Sequence, residues 1–241
     1  MEHSQQEMRM KKTLVFLYGS ALAVVIVLVG GTARADLVYA NSTNDLSLRF
    51  NPLLFEVGDE IVLDGTARYV TNFNFQYWGV GFDGDEALRV RFYVNDGPAA
   101  PAGPTIYEPG TVLFDSGTFP IVATNRAVLL FDYYALMNGN VIDLLNPVPN
   151  SFTWSVQFYN TNDNAGFSAG LDIYDPPTVG SNYKDFWEYN GTGWEYRGDD
   201  ICCTNYNFAA RVEATPEPAV VVLGLLGGVS LLLLGICRRR R

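Results

Sequence analysis

The chain has 241 residues, with 16 Lys and Arg against 26 Asp and Glu, a formal net charge of −10, and one histidine, His3. An acidic surface of this kind repels phosphate backbones and excludes nucleic-acid binding. With His3 at the extreme start, the remaining chain can build neither Ser-His-Asp nor Cys-His machinery, and no histidine-containing metal site.

Residues 1–35 read as a secretory leader. Arg9, Lys11 and Lys12 precede an apolar run from Leu14 to Val29, and Ala33-Arg34-Ala35 offers a small-x-small cleavage site, so Asp36 is the expected mature start. The run is long for a signal peptide, and an uncleaved anchor is the alternative. Residues 36–214 have the size of one domain with a real core. They carry 8 Arg and Lys against 23 Asp and Glu, a net charge of −15. Such a surface suits a soluble exterior, divalent cations or neutral polymers.

This middle region reads as strands. In "GDEIVLDGTARYVTNFNFQYWGVGF", Ile61, Leu63, Ala67, Tyr69, Phe73, Phe75 and Tyr77 share one parity; Asp64, Thr66, Arg68, Asn72, Asn74 and Gln76 hold the other. The alternation returns with Leu88, Val90, Phe92 and Val94, and again with Phe152, Trp154, Val156 and Phe158 inward. Period two with one wet face predicts antiparallel sheets. "RAVLLFDYYALMNG" is the one stretch that also suits a helix, although its aromatic and β-branched content fits a strand as well. Clusters such as "NDGPAAPAGP", "DSGTFP", "NPVPNS" and "TNDNAG" mark turns. Eight or more short strands at this spacing predict an all-β, antiparallel β-sandwich, jelly-roll-like in order.

Three local features could carry chemistry. In "FDGDE", Asp83, Asp85 and Glu86 gather carboxylates in a glycine-flexed loop, as a calcium ion would need, but without the full calcium-loop spacing. An ordinary solvated turn is the alternative. "DFWEYNGTGWEYRGDD" places Trp187, Tyr189, Trp194 and Tyr196 around an "NGTG" hairpin tip. Those rings would stack on sugars if exposed, or fill the core if buried. Cys202 and Cys203 are the two cysteines of the exported part. Adjacent Cα atoms stand about 3.8 Å apart, so a bond between them is a strained ring. In an oxidising exterior the choice is that ring or a link to another molecule.

The C-terminal segment, residues 215–241, is of a different kind. From Ala219 to Cys237 there is no charged side chain, and these 19 residues as a helix would measure about 28 Å, close to one hydrocarbon core. Arg238, Arg239, Arg240 and Arg241 follow and would hold the end on the cytoplasmic side, leaving everything before Pro218 outside.

The ordered combination of Pro216-Glu217-Pro218, an apolar span rich in Gly and Leu, and terminal arginines resembles the PEP-CTERM sorting signal of exopolysaccharide-producing Gram-negative bacteria. That resemblance implies recognition by a membrane-embedded exosortase, with Pro216, Glu217 and Pro218 as the sorting motif, Ala219 to Ile236 as the span and Arg238 to Arg241 as the stop. It implies transient anchoring in the inner membrane, then delivery to the cell surface or beyond. Thr215 stands where Val is common, and Cys237 precedes the arginines. The expected partners are the exosortase, export machinery, the membrane and an exopolysaccharide; the expected cofactor is none, or calcium. Two functions stay open: a non-enzymatic surface or matrix protein of envelope or biofilm, and a secreted carbohydrate-active enzyme using paired carboxylates.

Overall fold

Alternation of apolar and polar residues resolves into antiparallel strands in two sheets, seen in a computed structural model that describes residues 34–100, 106–132, 146–162, 165–198 and 206–216. Ala35–Glu217 form one compact unit. Residues 1–33 and 217–241, which hold the expected leader and the expected C-terminal span, lie outside the described residues. Among the described residues no helix is long and apolar enough to cross a membrane.

The strands are β1 (Asp36–Asn41), β2 (Asp45–Phe50), β3 (Glu56–Val62), β4 (Tyr69–Val80), β5 (Ala87–Val94), β6 (Val112–Pro120), β7 (Thr124–Asp132), β8 (Ser151–Tyr159), β9 (Ser168–Tyr174), β10 (Ser181–Asn182), β11 (Phe186–Tyr189), β12 (Trp194–Arg197) and β13 (Ala210–Thr215). One sheet runs β1-β13-β4-β9-β2, with β7 also on β4. The other runs β12-β11-β3-β8-β5-β6, with β10 also on β3. The stretch that suited either helix or strand is strand β7 as far as Asp132.

Both sheets turn apolar faces onto a common core. From β4 come Phe73, Phe75 and Tyr77; from β5, Leu88, Val90 and Phe92; from β8, Phe152, Trp154, Val156 and Phe158. These are the inward residues that period two predicts, except that Val94, expected beside Phe92, lies outside the core at the half-buried end of β5. At Tyr69 the expectation fails, because a register shift between β13 and β4 leaves Thr71 as an extra residue and flips the parity beyond it. Val70 is therefore buried and Tyr69 half-buried. Where β9 passes β2, a side chain at Gly170 would place its Cβ 1.9 Å from the Phe50 carbonyl oxygen, so the approach requires glycine.

The second departure is larger. Thr153 and Ser155, on the parity expected to be wet, are as buried as Trp154. The register aligns Trp187, Gly58, Ser155, Arg91 and Asp115 across the outer face of the second sheet. Trp194 belongs to β12, with β11, β3 and β8 between it and β5, yet its ring lies 5.4 Å from that of Tyr93 on β5. The sheet therefore curls until its terminal hairpin roofs its own outer face. Beneath the roof, a side chain at Gly58 would press its Cβ to 2.6 Å from the Thr153 methyl carbon.

At the edge of that face Asp115 accepts from Arg89 Nε at 2.7 Å and from the Gly117 N–H at 2.9 Å, with Arg91 Nε at 3.3 Å. The Arg89 hydrogen bond, foremost, holds the Asp115 carboxyl down at about 2. A depressed carboxylate contributes stability above its unfolded value near 3.9 and loses it as pH falls toward 2. Asp115→Asn should thus flatten the wild-type fall in unfolding free energy, read from urea titrations between about pH 4 and pH 2, by on the order of 1 kcal/mol once solvent screening is allowed for. Parallel wild-type and variant profiles across that range would show that the pair contributes nothing.

Candidate functional site

The acidic loop between β4 and β5 does bring Asp83, Asp85 and Glu86 together, with one ligand oxygen of each within 4.8 Å of the others. Glu86 is fully buried, and its two oxygens accept the backbone N–H groups of Asp83 at 2.7 Å and Gly84 at 2.9 Å. Asp85 Oδ2 accepts the Asn162 N–H at 2.6 Å. Asp83 lies in solvent, its carboxyl pushed up by a shared hydrogen bond with Asp85 and then by partial desolvation. Glu86 thus folds the loop without an ion, while the donor set also fits a calcium ion in kind.

The hairpin forms as its turn predicts: β11 pairs with β12 from Phe186↔Arg197 to Tyr189↔Trp194. Asn190 Oδ1 accepts from the Thr192 N–H at 2.9 Å, the Thr192 hydroxyl at 2.6 Å and the Gly193 N–H at 3.2 Å, which fixes the tip. The rings do not form an open platform. Trp187 is 1% exposed and meets Tyr196 edge-on at 5.4 Å, so it is withdrawn from the glycan-contact set. Trp194, expected to be at least half exposed for stacking, is only partly exposed and is wedged between Tyr93 and Tyr189. Tyr189 and Tyr196 are likewise partly buried, and the Tyr196 hydroxyl donates to Asp185 Oδ2 at 2.6 Å. Curling of the sheet, which local sequence does not encode, turned these rings inward.

What they cover is a polar layer that the sequence reading missed. Glu56 Oε1 accepts from the Tyr93 hydroxyl at 2.8 Å and the Ser155 hydroxyl at 2.5 Å, and Oε2 pairs with Arg91. Glu60 Oε1 accepts from the Ser151 hydroxyl at 2.7 Å, and the Thr153 hydroxyl donates to Asn95 at 2.8 Å. Burial raises the Glu60 carboxyl above its ordinary range. Carboxylates on the wet parity of a strand gave no sequence signal, because such residues normally face solvent.

No family model, curated protein or solved structure matches this chain. Chemistry must therefore be argued from the residues themselves. Pro216 is exposed at the end of the domain; Glu217, Pro218 and Arg238 to Arg241 lie outside the described residues, as do Cys202 and Cys203. Asp36 pairs directly with Ala214, so the first and last strands of the domain bring its two ends side by side.

Proposed function

We propose that this is an exported surface or extracellular-matrix protein, sorted by an exosortase and acting through its β-domain in envelope or biofilm architecture, in association with exopolysaccharide. The observation that carries the reading is the order Pro216-Glu217-Pro218, uncharged apolar span, then four arginines, behind an acidic domain with a leader at its other end. Adjacent ends suit a domain released from one membrane face by cuts at both junctions. A jelly-roll-like order is part of the same reading, supported by a chain that switches sheet at eight of the eleven steps from β2 to β13. A carbohydrate-active enzyme would need two accessible carboxylates set roughly 5–10 Å apart about a cleft. Among the described residues no observation singles out such a pair.

Intact mass of the protein recovered from the producing cell's surface tests the sorting. The expected species begins at Asp36 and lacks Arg238 to Arg241. Glu217→Gln should leave membrane insertion intact and block release, because Glu217 lies outside the apolar span. Recovery of a major species that still ends at Arg241 would leave a plain membrane anchor in place of a sorted protein. Binding of the recovered protein to purified exopolysaccharide, with a parallel assay for new reducing ends, separates a polymer binder from a hydrolase.

A further inference from the structure

Strand β3 turns Asp59 onto the inner face between Val57 and Ile61, opposite Trp154 on β8, and all four are 0% exposed. Its Oδ2 accepts the Phe208 N–H at 3.0 Å, while its Oδ1 meets no hydrogen-bond donor among the described residues. A carboxylate in such a place needs a cation. All eight Arg and Lys of residues 36–214 lie among the described residues, and none serves it. Arg49 and Arg126 pair with Asp172, Arg89 and Arg91 with Asp115, Arg197 with Glu188 and Arg211 with Glu213. Arg68 donates to Asn150 and to the backbone between β3 and β4, and Lys184 is exposed.

The titratable groups that act on Asp59 bring no positive charge either. They are Tyr39 on β1, Glu60 beside it on β3, Asp175 after β9 and Asp185 before β11. Burial above all pushes the Asp59 carboxyl well up; the Phe208 N–H draws it down in part, and the three neighbouring carboxyls push it further up. An isolated ionised carboxylate in a core is so costly that the group takes a proton instead. As the uncharged acid, Asp59 keeps Oδ2 as the acceptor for Phe208 and carries the proton on Oδ1, the oxygen that no donor reaches.

We propose that Asp59 is a buried proton-binding site, an uncharged acid in the folded domain that makes acid surroundings favour the sandwich and less acid ones weaken it. Which state holds the proton sets the direction. The unfolded chain loses it above about pH 3.9 and the folded domain keeps it, so unfolding releases one proton and the unfolding constant rises about tenfold per pH unit up to the folded value. The contribution is complete below about pH 3.9 and is lost as pH climbs. That window lies above the one in which Asp115 acts. Glu60, the next residue of β3, faces the hairpin and is also raised by burial, but its Oε1 accepts the Ser151 hydroxyl; it serves as the control. The proton site does not depend on the sorting reading.

Urea titrations of the purified full-length chain between pH 4 and pH 6, beside those of Asp59→Asn, test it. Asparagine copies the shape of the uncharged acid, keeps an acceptor for Phe208 and cannot ionise. The ratio of wild-type to variant unfolding constants should rise roughly 50-fold across that range, as one proton released on unfolding requires. Infrared absorption of the folded wild type at pH 6, where ordinary carboxyls are almost wholly ionised, should still show a carboxylic-acid carbonyl band. Asp59→Asn should remove that band and Glu60→Gln should leave it. A ratio that stays flat or falls, or a folded wild type without the band, means that Asp59 is ionised in the folded domain and overturns the proposal. If Asp59→Asn fails to fold, Glu60→Gln decides: a band that persists there supports Asp59, and a band that disappears assigns the buried acid to Glu60 and overturns the proposal.

Discussion

Trp154→Ala should lower the unfolding free energy by about 3–5 kcal/mol, the cost of truncating a buried aromatic and leaving its cavity. The indole is 0% exposed, with ring centroids of Phe73 at 5.3 Å, Phe75 at 5.6 Å and Phe208 at 6.3 Å. Those partners come from the opposite sheet and its approach, so one truncation removes contacts that join the two layers. Collapse into the cavity is resisted because β8 is hydrogen-bonded on both edges, to β3 and to β5. Thr153→Ala provides the comparison. It removes a methyl group and the hydroxyl donated to Asn95 at 2.8 Å, and should cost roughly 1–2 kcal/mol. Equal losses in a urea titration would show that Trp154 does not bridge the sheets as described.

Glu56→Ala should also be damaging, at about 2–4 kcal/mol, because it takes the more buried of two carboxylate partners from a largely buried cation and leaves two hydroxyls without their acceptor. Glu56 and Arg91 have side-chain exposures of 3% and 15%, and Glu56 also accepts two hydroxyls. Removing the carboxylate leaves Arg91, Tyr93 and Ser155 with lost partners under an aromatic roof. The double change Glu56→Leu with Arg91→Leu should recover much of the loss, since a well-packed apolar pair avoids the desolvation cost of two ions. Denaturant unfolding of the two variants reads this directly. A loss below about 1 kcal/mol for Glu56→Ala is the size seen for exposed pairs, and would mean that the hairpin does not exclude water from this layer.

Much of the sandwich was legible because period two is a local signal. Phe73, Phe75 and Tyr77, then Phe152 to Phe158 on alternate positions, had to share a face once extended. The hairpin was legible for the same reason: Asn190 and Gly191 carry their turn geometry with them, and Gly191 does adopt a positive φ of 92°. Tyr69 was not legible, since its facing depends on an extra residue whose presence is decided by pairing with β13. Nor was the polar layer under the hairpin. Glu56, Glu60, Thr153 and Ser155 lie on the parity opposite the core face, and alternation reports which residues share a face, never whether a second layer covers it.

The candidate sites divide along the same line. Asp83, Asp85 and Glu86 are close in sequence, so a short loop sufficed to gather them. Glu56, Arg91 and Ser155 come from three distant parts of the chain and meet only through the sheet order. Composition and segment order by themselves determined the acidic all-β character, the lack of histidine chemistry and the expectation of a sorted, exported protein, because charge, apolar run length and terminal motifs act without long-range contacts. Only the tertiary structure decided that Trp187 is buried and that carboxylates lie beneath a curled sheet. Burial and convergence are properties of chain segments brought together across tens or hundreds of residues, and local alternation carries no record of that meeting.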